Sequence, residues 1–433
     1  QQQSIYTNNM DLLALVDCEN FYASCERIFR PDLKKVPIVV LSNNDGCVIA
    51  RSKESKDFGI QMGAPWFKVK EDFLKSGGQV FSSNFALYGD ISSRVMNVLS
   101  QMSKKIEIYS IDEAFLDLEN LALESHDAAN DFGVYCRNIV KQWVGIPVRI
   151  GIAPTKTLTK VASYLAKQQT HHPGIFSITN NQKDIETALK RVPIHQVWGV
   201  GRRLNKKLSD SGMKNAYDLA CSNIPLIRKK YSVVLERTVR ELRGERCLAM
   251  DENPAPKKQI VVSRSFANKI SDLNTLSPIV NDFGVRACEK LRKEGQLCSK
   301  VGVFIRTSPF RTQDRQHQTI KFYTLHQPSD DTRDILSSIR WILPKIFRHG
   351  FCYAKAGVML SQFTDENVLQ YELFEQINGA RRNNQLMKTL DKINHSSTQV
   401  NFASQSKIGF TAMRRANVSP RYTTSWFELP TVN

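Results

Sequence analysis

Apolar and polar residues alternate along the first half of the chain in blocks that predict both strands and helices. The apolar run 12–16 predicts a buried strand that ends at the acidic residue Asp17. A later pair of acids, Asp112 and Glu113, stands between two strand-like runs. Helix-like and strand-like segments then follow in turn, at 128–144, 148–152 and 156–167. Alternation of this kind around one sheet predicts an α+β domain.

The second half of the chain divides into two further blocks and a polar tail. Residues 194–248 have a helical pattern throughout, and the proline-containing stretch 253–258 predicts a linker. Strand-like and helix-like segments then alternate up to residue 363, which predicts a βαβ-type domain. Residues 364–433 lose this periodicity, and residues 1–10 are polar. We therefore expect a partly ordered tail and a polar N-terminal extension.

Length and composition limit the class of protein. A chain of 433 residues is too long for one core, so two to four domains are expected. No apolar run approaches the roughly 18–20 residues of a membrane span, and no secretory signal is evident, which predicts a cytoplasmic protein without a membrane contact. The 9 cysteines are scattered without a CxxC pair, so neither a zinc site nor a disulfide framework is supported.

The positive charge of the chain is unevenly distributed. The net charge is +18, of which residues 255–363 carry +10 and residues 176–254 carry +6. The first part of the chain, which holds the acids described above, is nearly neutral. A basic excess of this size predicts a polyanionic partner, because phosphate contacts provide most of the sequence-independent affinity for DNA.

Asp17, Asp112 and Glu113 are candidate metal ligands. Two adjacent acids repel each other unless a positive group joins them, and a divalent cation is such a group. Three carboxylates on neighbouring strands can hold two hard cations about 3.5–4 Å apart for phosphoryl transfer. An arbitrary Asp-Glu pair is more often a solvated turn, so the metal hypothesis depends on the surrounding sequence.

The surrounding segments resemble motifs of the Y-family translesion DNA polymerases. The likeness covers 17–26 and 110–115, and it continues in order through 41–51, 155–158, 197–203, 263–266 and 419–424. It implies an α+β, multidomain right-hand polymerase. The implied domains are a palm (11–30 and 86–175), fingers (31–85), a helical thumb (176–252), a βαβ-type little finger (259–363) and the tail.

The resemblance also implies how the acids act. Asp17, Asp112 and Glu113 match the catalytic carboxylates of the family, and the main-chain carbonyl of Cys18 completes the metal ligands. The implied cofactor is a pair of Mg²⁺ ions. The implied substrates are dNTP and primer–template DNA.

Four further residues are candidate nucleotide contacts. Tyr22 matches the steric gate, an aromatic ring beneath the sugar that leaves no space for a 2′-hydroxyl. Lys56 and Lys167 match basic phosphate contacts of the family, and Arg51 is a further candidate contact to the nucleotide. Taken alone, Tyr22 would be a core aromatic and the lysines would be solvated surface charges.

DNA contacts are expected in the thumb and the little finger. Gly199 and Gly201 lie between a short helix and a basic helix that carries Arg202, Arg203 and Lys206. Glycines let a backbone approach a phosphate, and a helix N-terminus points amides at it, so we interpret this as a helix-hairpin-helix. A GxG alone is more often a simple turn. Arg264, in the motif 263–266, is a further DNA-binding candidate.

The tail contains a candidate partner motif. Gln370, Leu373 and Phe374 resemble the bacterial sliding-clamp binding pentapeptide, although Tyr371 departs from its usual second residue. An apolar pair in a polar tail suits a pocket on a partner. The resemblance further implies a UmuD′-like dimer and RecA–ATP as partners.

The predicted function is error-prone, template-directed DNA synthesis past damaged bases, in the SOS response. One alternative is a non-catalytic subunit that binds DNA and UmuD to delay replication, but such a protein would not need Asp17, Asp112 and Glu113. A helix-hairpin-helix nuclease or glycosylase is a second alternative, and no separate acid cluster near 194–212 supports it.

Overall fold

The computed structural model describes residues 12–119, 125–168, 174–251, 256–311, 313–365, 380–396, 399–405 and 413–429. They form two compact units. The first unit comprises the described residues up to 251, except 43–45, together with 416–429. The second comprises 43–45 and the described residues between 256 and 415. In the described part of the chain, no helix combines the length and apolar character needed to cross a membrane.

Strands and helices alternate along the described chain. The strands are β1 (Leu13–Cys18), β2 (Ile38–Leu41), β3 (Val48–Arg51), β4 (Gln79–Ser82), β5 (Ile106–Ile108), β6 (Glu113–Asp117), β7 (Val148–Ala153), β8 (Ile175–Ser177), β9 (Gln259–Ile270), β10 (Gln296–Thr307), β11 (Gln318–Ser329) and β12 (Tyr353–Asp365). The helices are α1 (Phe21–Ile28), α2 (Lys53–Asp57), α3 (Trp66–Lys75), α4 (Phe85–Ser100), α5 (His126–Val144), α6 (Lys156–Ala166), α7 (Gln182–Lys190), α8 (Arg202–Asp210), α9 (Ala216–Ala220), α10 (Ile224–Lys230), α11 (Val233–Leu242), α12 (Leu273–Lys293), α13 (Thr332–Ile346) and α14 (Ala380–Asn394).

The sheet of the predicted palm has β1 at its centre, in the order β5-β6-β1-β7-β8. β1 is buried on both faces, as its continuous apolar run predicts. Ala14 and Val16 pack with α4 and α5 in one core. On the opposite face, α6 lies so close to Gly151 of β7 that an added Cβ would be 2.3 Å from the carbonyl oxygen of Thr159. Glycine at this position therefore lets the backbone of α6 rest directly on the sheet.

Two smaller assemblies complete the first unit. In the predicted fingers, β2, β3 and β4 form a sheet in the order β3-β2-β4, and Trp66 and Phe73 of α3 pack in its core. In the predicted thumb, α7 to α11 share a core with α6. The helical pattern of 194–248 predicted the helices α8 to α11, whereas the fingers were implied only by the family resemblance.

The second unit contains a sheet in the order β11-β10-β12-β9, against which α12 and α13 pack. β12 is antiparallel to both β9 and β10, so those two strands run in the same direction. This agrees with the predicted βαβ-type pattern. The pattern did not predict β11, because this edge strand leaves Ile320 and Phe322 exposed and lacks a clean alternation.

The C-terminal region returns to the first unit after α14. Residues 416–429 belong to the unit that begins with β1, and Ser419 and Tyr422 are buried there. Tyr422 lies within the same core cluster as Ala14 and Val16. The sequence predicted only a partly ordered tail, since two buried side chains in a polar segment produce no periodic signal.

Candidate active site

The cross-strand register brings the candidate metal ligands to one edge of the palm sheet. Asp17 of β1 lies directly opposite Glu113 of β6. The backbone N–H of Cys18 donates to the carbonyl oxygen of Asp112 over 2.8 Å. The pairing of β1 with β6 thus brings Asp17 close to Glu113 and Asp112, which form one acidic site. The hydrogen bond from Cys18, the residue after Asp17, holds Asp112 at this site.

Asp17 is held in a partly desolvated position. Burial raises its pKa to about 6, and the nearby Glu113 and Asp112 carboxylates add to this rise. Arg149 opposes the rise, because its Nη1 lies 3.4 Å from an Asp17 carboxylate oxygen. Arg149 lies opposite Asp17 on β7. The site therefore disfavours a bare negative charge and is stabilised by a cation.

Glu113 is paired with Lys160 of α6. The Lys160 Nζ donates to both carboxylate oxygens over 2.9 and 2.8 Å. The same ammonium group lies 4.6 Å from the ring centre of Tyr109 and 5.6 Å from that of Trp198. Aromatic faces attract a cation, so these rings hold Lys160 beside the carboxylate.

The carboxylates face protein donors rather than one another. Asp17 faces Arg149, Glu113 faces Lys160, and Asp112 accepts from the Ser110 hydroxyl over 2.7 Å. Accordingly, no group of three metal-ligating side chains converges on one point within the described residues. The backbone positions fit a shared cation, and rotation of these side chains from their present partners would be required to bind it.

A cluster of positive side chains lies on the Asp17 side of the site. Burial lowers the pKa of Lys56, and the neighbouring charges of Arg51, Lys167 and Arg149 lower it further. Burial also lowers the pKa of Lys167, again with a contribution from Arg149. The Lys56 Nζ donates to the side chain of Asn20 over 2.5 Å, and Arg51 donates to the carbonyl oxygen of Ile60 over 2.6 Å. Mutual repulsion of this kind is relieved by an anion.

Tyr22 is the second residue of α1 and follows Asp17 by five positions in the sequence. Its ring stacks on Tyr88 of α4, with 4.4 Å between ring centres and 15° between planes. Phe85 meets the Tyr22 ring edge-on at 6.1 Å. Burial raises the pKa of Tyr22, and the charge of Asp112 raises it further. Tyr22 is therefore a fixed aromatic surface beside the acidic edge, whereas its neighbour Phe21 is buried in the core.

The predicted DNA-binding turn follows Trp198, whose ring meets that of Tyr109 at 5.6 Å. Gly199 has a φ of +85°, which favours glycine, and Gly201 precedes the first residue of α8. The basic side chains of this helix are exposed: Arg202, Arg203, Lys206 and Lys207. A glycine turn followed by an exposed basic helix suits contacts to a phosphate backbone.

A buried carboxylate attaches the predicted thumb to the predicted palm. Glu241 of α11 is fully buried and accepts from the backbone N–H of Thr157 over 2.9 Å. It also accepts from the backbone N–H groups of Cys247 and Leu248 over 2.9 and 3.0 Å. The N-terminus of α6, which carries Lys160, is thus anchored by a thumb residue.

The remaining predicted residues lie elsewhere. Arg264 belongs to β9 of the second unit, where burial and the charges of Arg286 and Arg415 lower its pKa. Gln370, Leu373 and Phe374 lie outside the described residues, as do residues 1–10.

Family models match most of the chain. The impB/mucB/samB family matches residues 16–164, and the C-terminal domain of that family matches 257–373. A third model, described as a domain of unknown function, matches 384–432. The protein ImpB of Salmonella typhimurium is 45% identical over 97% of this chain and 99% of its own length. The chain belongs to the impB/mucB/samB family.

Further relatives refine this assignment. The protein UmuC of Salmonella typhimurium is 44% identical over 96% of this chain and 99% of its own length. A solved chimeric Y-family DNA polymerase, Dbh-Dpo4-Dbh, is 19% identical and has a TM-score of 0.66 over 82% of this chain and 99% of its own. The predictions of a UmuC-like Y-family DNA polymerase, of translesion synthesis and of an α+β polymerase fold are confirmed. The family membership implies a divalent metal in catalysis.

The sequence analysis missed two cations of the candidate site, Arg149 and Lys160. Arg149 is the charged residue of the otherwise apolar strand β7, which was an available signal. Lys160 is one of several lysines in the segment 156–167, which was predicted only as a helix. Its role depends on the helix face that meets Glu113, and the local pattern does not specify that face.

Proposed function

We propose that the polymerase adds nucleotides across damaged bases by transfer from dNTP to a primer 3′-hydroxyl, with two Mg²⁺ ions held at the edge of the palm sheet. The observation that carries this proposal is the placement of Asp17 directly opposite Glu113, with Asp112 bonded through its carbonyl to Cys18. Asp17 and Glu113 thus stand on hydrogen-bonded strands, and Asp112 lies just before β6.

The donor set fits hard divalent cations. Asp17, Asp112 and Glu113 would hold the ions with the main-chain carbonyl of Cys18, since carboxylate and carbonyl oxygens are the ligands that Mg²⁺ prefers. When bound, the ions would lower the pKa of the primer hydroxyl and neutralise charge on the phosphates. The raised pKa of Asp17 supports a cation here.

The chain's own residues orient the nucleotide. Lys56, Lys167 and Arg51 would bind the triphosphate, because their positive charges repel one another and an anion removes that repulsion. Tyr22, fixed on Tyr88, would lie beneath the sugar and exclude a 2′-hydroxyl.

DNA would be held by two basic surfaces. The turn at Gly199–Gly201 and the exposed side chains of Arg202, Arg203 and Lys206 would contact phosphates without reading sequence. Arg264 would add a contact from the little finger. We propose that the palm, fingers, thumb, linker, little finger and tail have the boundaries that the sequence and the family resemblance imply.

We propose the partners implied by the family likeness: a UmuD′-like dimer, RecA–ATP and the sliding clamp through Gln370, Leu373 and Phe374. The proposed location is the bacterial cytoplasm, with association with the nucleoid during DNA damage. A non-catalytic role in delaying replication is not favoured, because the three acids are present and share one edge of the sheet.

The test is primer extension by the full chain on a template with an abasic site, with and without the proposed partners. Glu113→Gln is expected to reduce extension by several orders of magnitude while DNA binding is retained. Glu119→Gln, a change of an exposed acid just after β6, is the matched control. Near-normal extension by Glu113→Gln would exclude the proposed mechanism, and DNA binding without any extension by the parent chain would favour a non-catalytic subunit.

A further inference from the structure

The ring of Tyr22, the residue proposed to select the sugar, is supported by a second tyrosine. Tyr22 stacks on Tyr88, and Tyr88 is completely buried. The position of the Tyr22 ring therefore depends on what fixes Tyr88. Phe85 and Tyr88 both belong to α4, so the packing of the N-terminal turns of this helix sets the geometry around Tyr22.

A buried polar network fixes Tyr88. The Tyr88 hydroxyl donates to Oε1 of Glu26 over 2.6 Å, and the Ser419 hydroxyl donates to the same oxygen over 3.1 Å. The Asn84 side-chain amide donates to the Ser419 hydroxyl over 3.0 Å. Asn84 also caps α4, since its Oδ1 accepts from the backbone N–H of Leu87 over 3.3 Å. Ser419 thus joins the start of α4 to the carboxylate that holds Tyr88.

The segment that supplies Ser419 is fixed on both sides. We call residues 417–422 the C-terminal strap. On one side, the carbonyl oxygen of Asn417 accepts from the backbone N–H of Ser82 over 2.8 Å, and the N–H of Asn417 donates to the Ser82 hydroxyl over 3.0 Å. On the other, the Tyr422 ring stacks on Phe29, with 4.4 Å between ring centres. Contacts at both ends place Ser419 in a defined position rather than as a loose tail.

The energetics of the network favour a precise geometry. Glu26 is fully buried, and burial raises its pKa to about 7 in spite of the two hydroxyl donors. Its other oxygen, Oε2, has no hydrogen-bond partner within the described residues. A buried carboxyl group with few donors depends strongly on each one, because a lost bond is not replaced by water.

We infer that the C-terminal strap is a specificity-determining part of the polymerase site: Ser419, through Glu26 and Tyr88, positions Tyr22 for the choice between deoxyribose and ribose. This assigns a role to part of the region that matches only a domain of unknown function. The inference rests on the proposed role of Tyr22. Ser419 touches neither nucleotide nor metal ligand, so it is a positioning residue.

The test measures kcat/KM for one dNTP and for the matching rNTP with the full chain and its partners. Ser419→Ala is expected to lower the dNTP-to-rNTP ratio about three- to tenfold, the effect of one lost hydrogen bond, mainly through faster rNTP incorporation. Tyr88→Phe keeps the stacked ring, removes the other donor to Glu26 and is expected to act in the same direction. The matched control is Val418→Ala, at an exposed neighbour, which is expected to leave the ratio unchanged.

Epistasis separates this inference from the proposed function. In a Tyr22→Ala background, Ser419→Ala is expected to have no further effect on the ratio, because the positioned ring is absent. An unchanged ratio in Ser419→Ala, or an equal change with and without Tyr22, overturns the inference. If Ser419→Ala fails to fold, the dNTP-to-rNTP ratio of Tyr88→Phe is the test, and an unchanged ratio in that variant overturns the inference. An unchanged ratio in Tyr22→Ala itself would instead refute the proposed role of Tyr22.

Discussion

Replacing Glu241 by Gln is expected to destabilise the first unit more than any change of an exposed acid. Glu241 is fully buried, and one of its oxygens accepts from Cys247 and Leu248 while the other accepts from Thr157. A glutamine of the same size has only one side-chain oxygen. Its NH₂ group would therefore face a backbone N–H, and that N–H would lose its acceptor. Hydrogen bonds to a charged group contribute about 1.5–3 kcal/mol each, so losing one and leaving a donor unsatisfied costs about 2–4 kcal/mol.

Urea unfolding of the full chain, followed by near-ultraviolet circular dichroism, measures this change. With an m-value of about 2–3 kcal/mol per molar urea, the midpoint is expected to fall by about 1 M. The control is Glu186→Gln on α7, which breaks an exposed pair with Lys190 and is expected to cost less than about 1 kcal/mol. A midpoint shift for Glu241→Gln no larger than that of the control would refute the argument that this carboxylate anchors the thumb to the palm.

Three further predictions concern the triphosphate, the buried acid and the tail. Lys167→Ala is expected to raise KM for dNTP about tenfold with a smaller change in kcat, as a lost binding charge should; an equal effect of the exposed-site control Lys183→Ala would argue against it. The stability of the parent is expected to fall as pH rises from 5 to 8, because the Glu26 pKa of about 7 lies above its ordinary 4.5 and the folded state retains its proton longer. Glu26→Gln is expected to reduce this pH-dependent loss of unfolding free energy by up to about 3 kcal/mol, as measured by urea unfolding at several pH values. An equal dependence of the unfolding free energy on pH in the parent and in Glu26→Gln would contradict this. Changing Leu373 and Phe374 to Ala is expected to weaken sliding-clamp binding about ten- to a few hundredfold while clamp-free extension persists, and unaltered clamp affinity would assign the pair to packing.

The sequence predicted the features of the site that depend on local pattern. The apolar run before Asp17 predicted β1, and the acids between strand-like runs predicted the edge at which Glu113 lies. These succeed because a buried strand requires continuous apolar residues, and polar residues at its end are then placed by the strand itself.

Features that depend on long-range contacts were not predictable in this way. Arg149 faces Asp17 through strand register, and Lys160 faces Glu113 through the direction in which α6 crosses the sheet. The burial of Ser419 and Tyr422 depends on residues more than three hundred positions earlier in the chain. The periodicity of apolar residues does not predict such contacts, because each contact involves one or two side chains and not a whole face of a helix or strand.

The split of the first unit along the sequence has a consequence for biosynthesis. The ribosome makes the strands of the palm first and the little finger next, and it makes residues 416–429 only after both. Domains fold as they emerge from the ribosome. The surfaces of the first unit that later contact Ser419 and Tyr422 therefore stay uncovered while some 160 residues of the second unit are translated. A message cut short within the predicted little finger would therefore yield a chain that has all three proposed catalytic carboxylates and still lacks part of the core of the first unit.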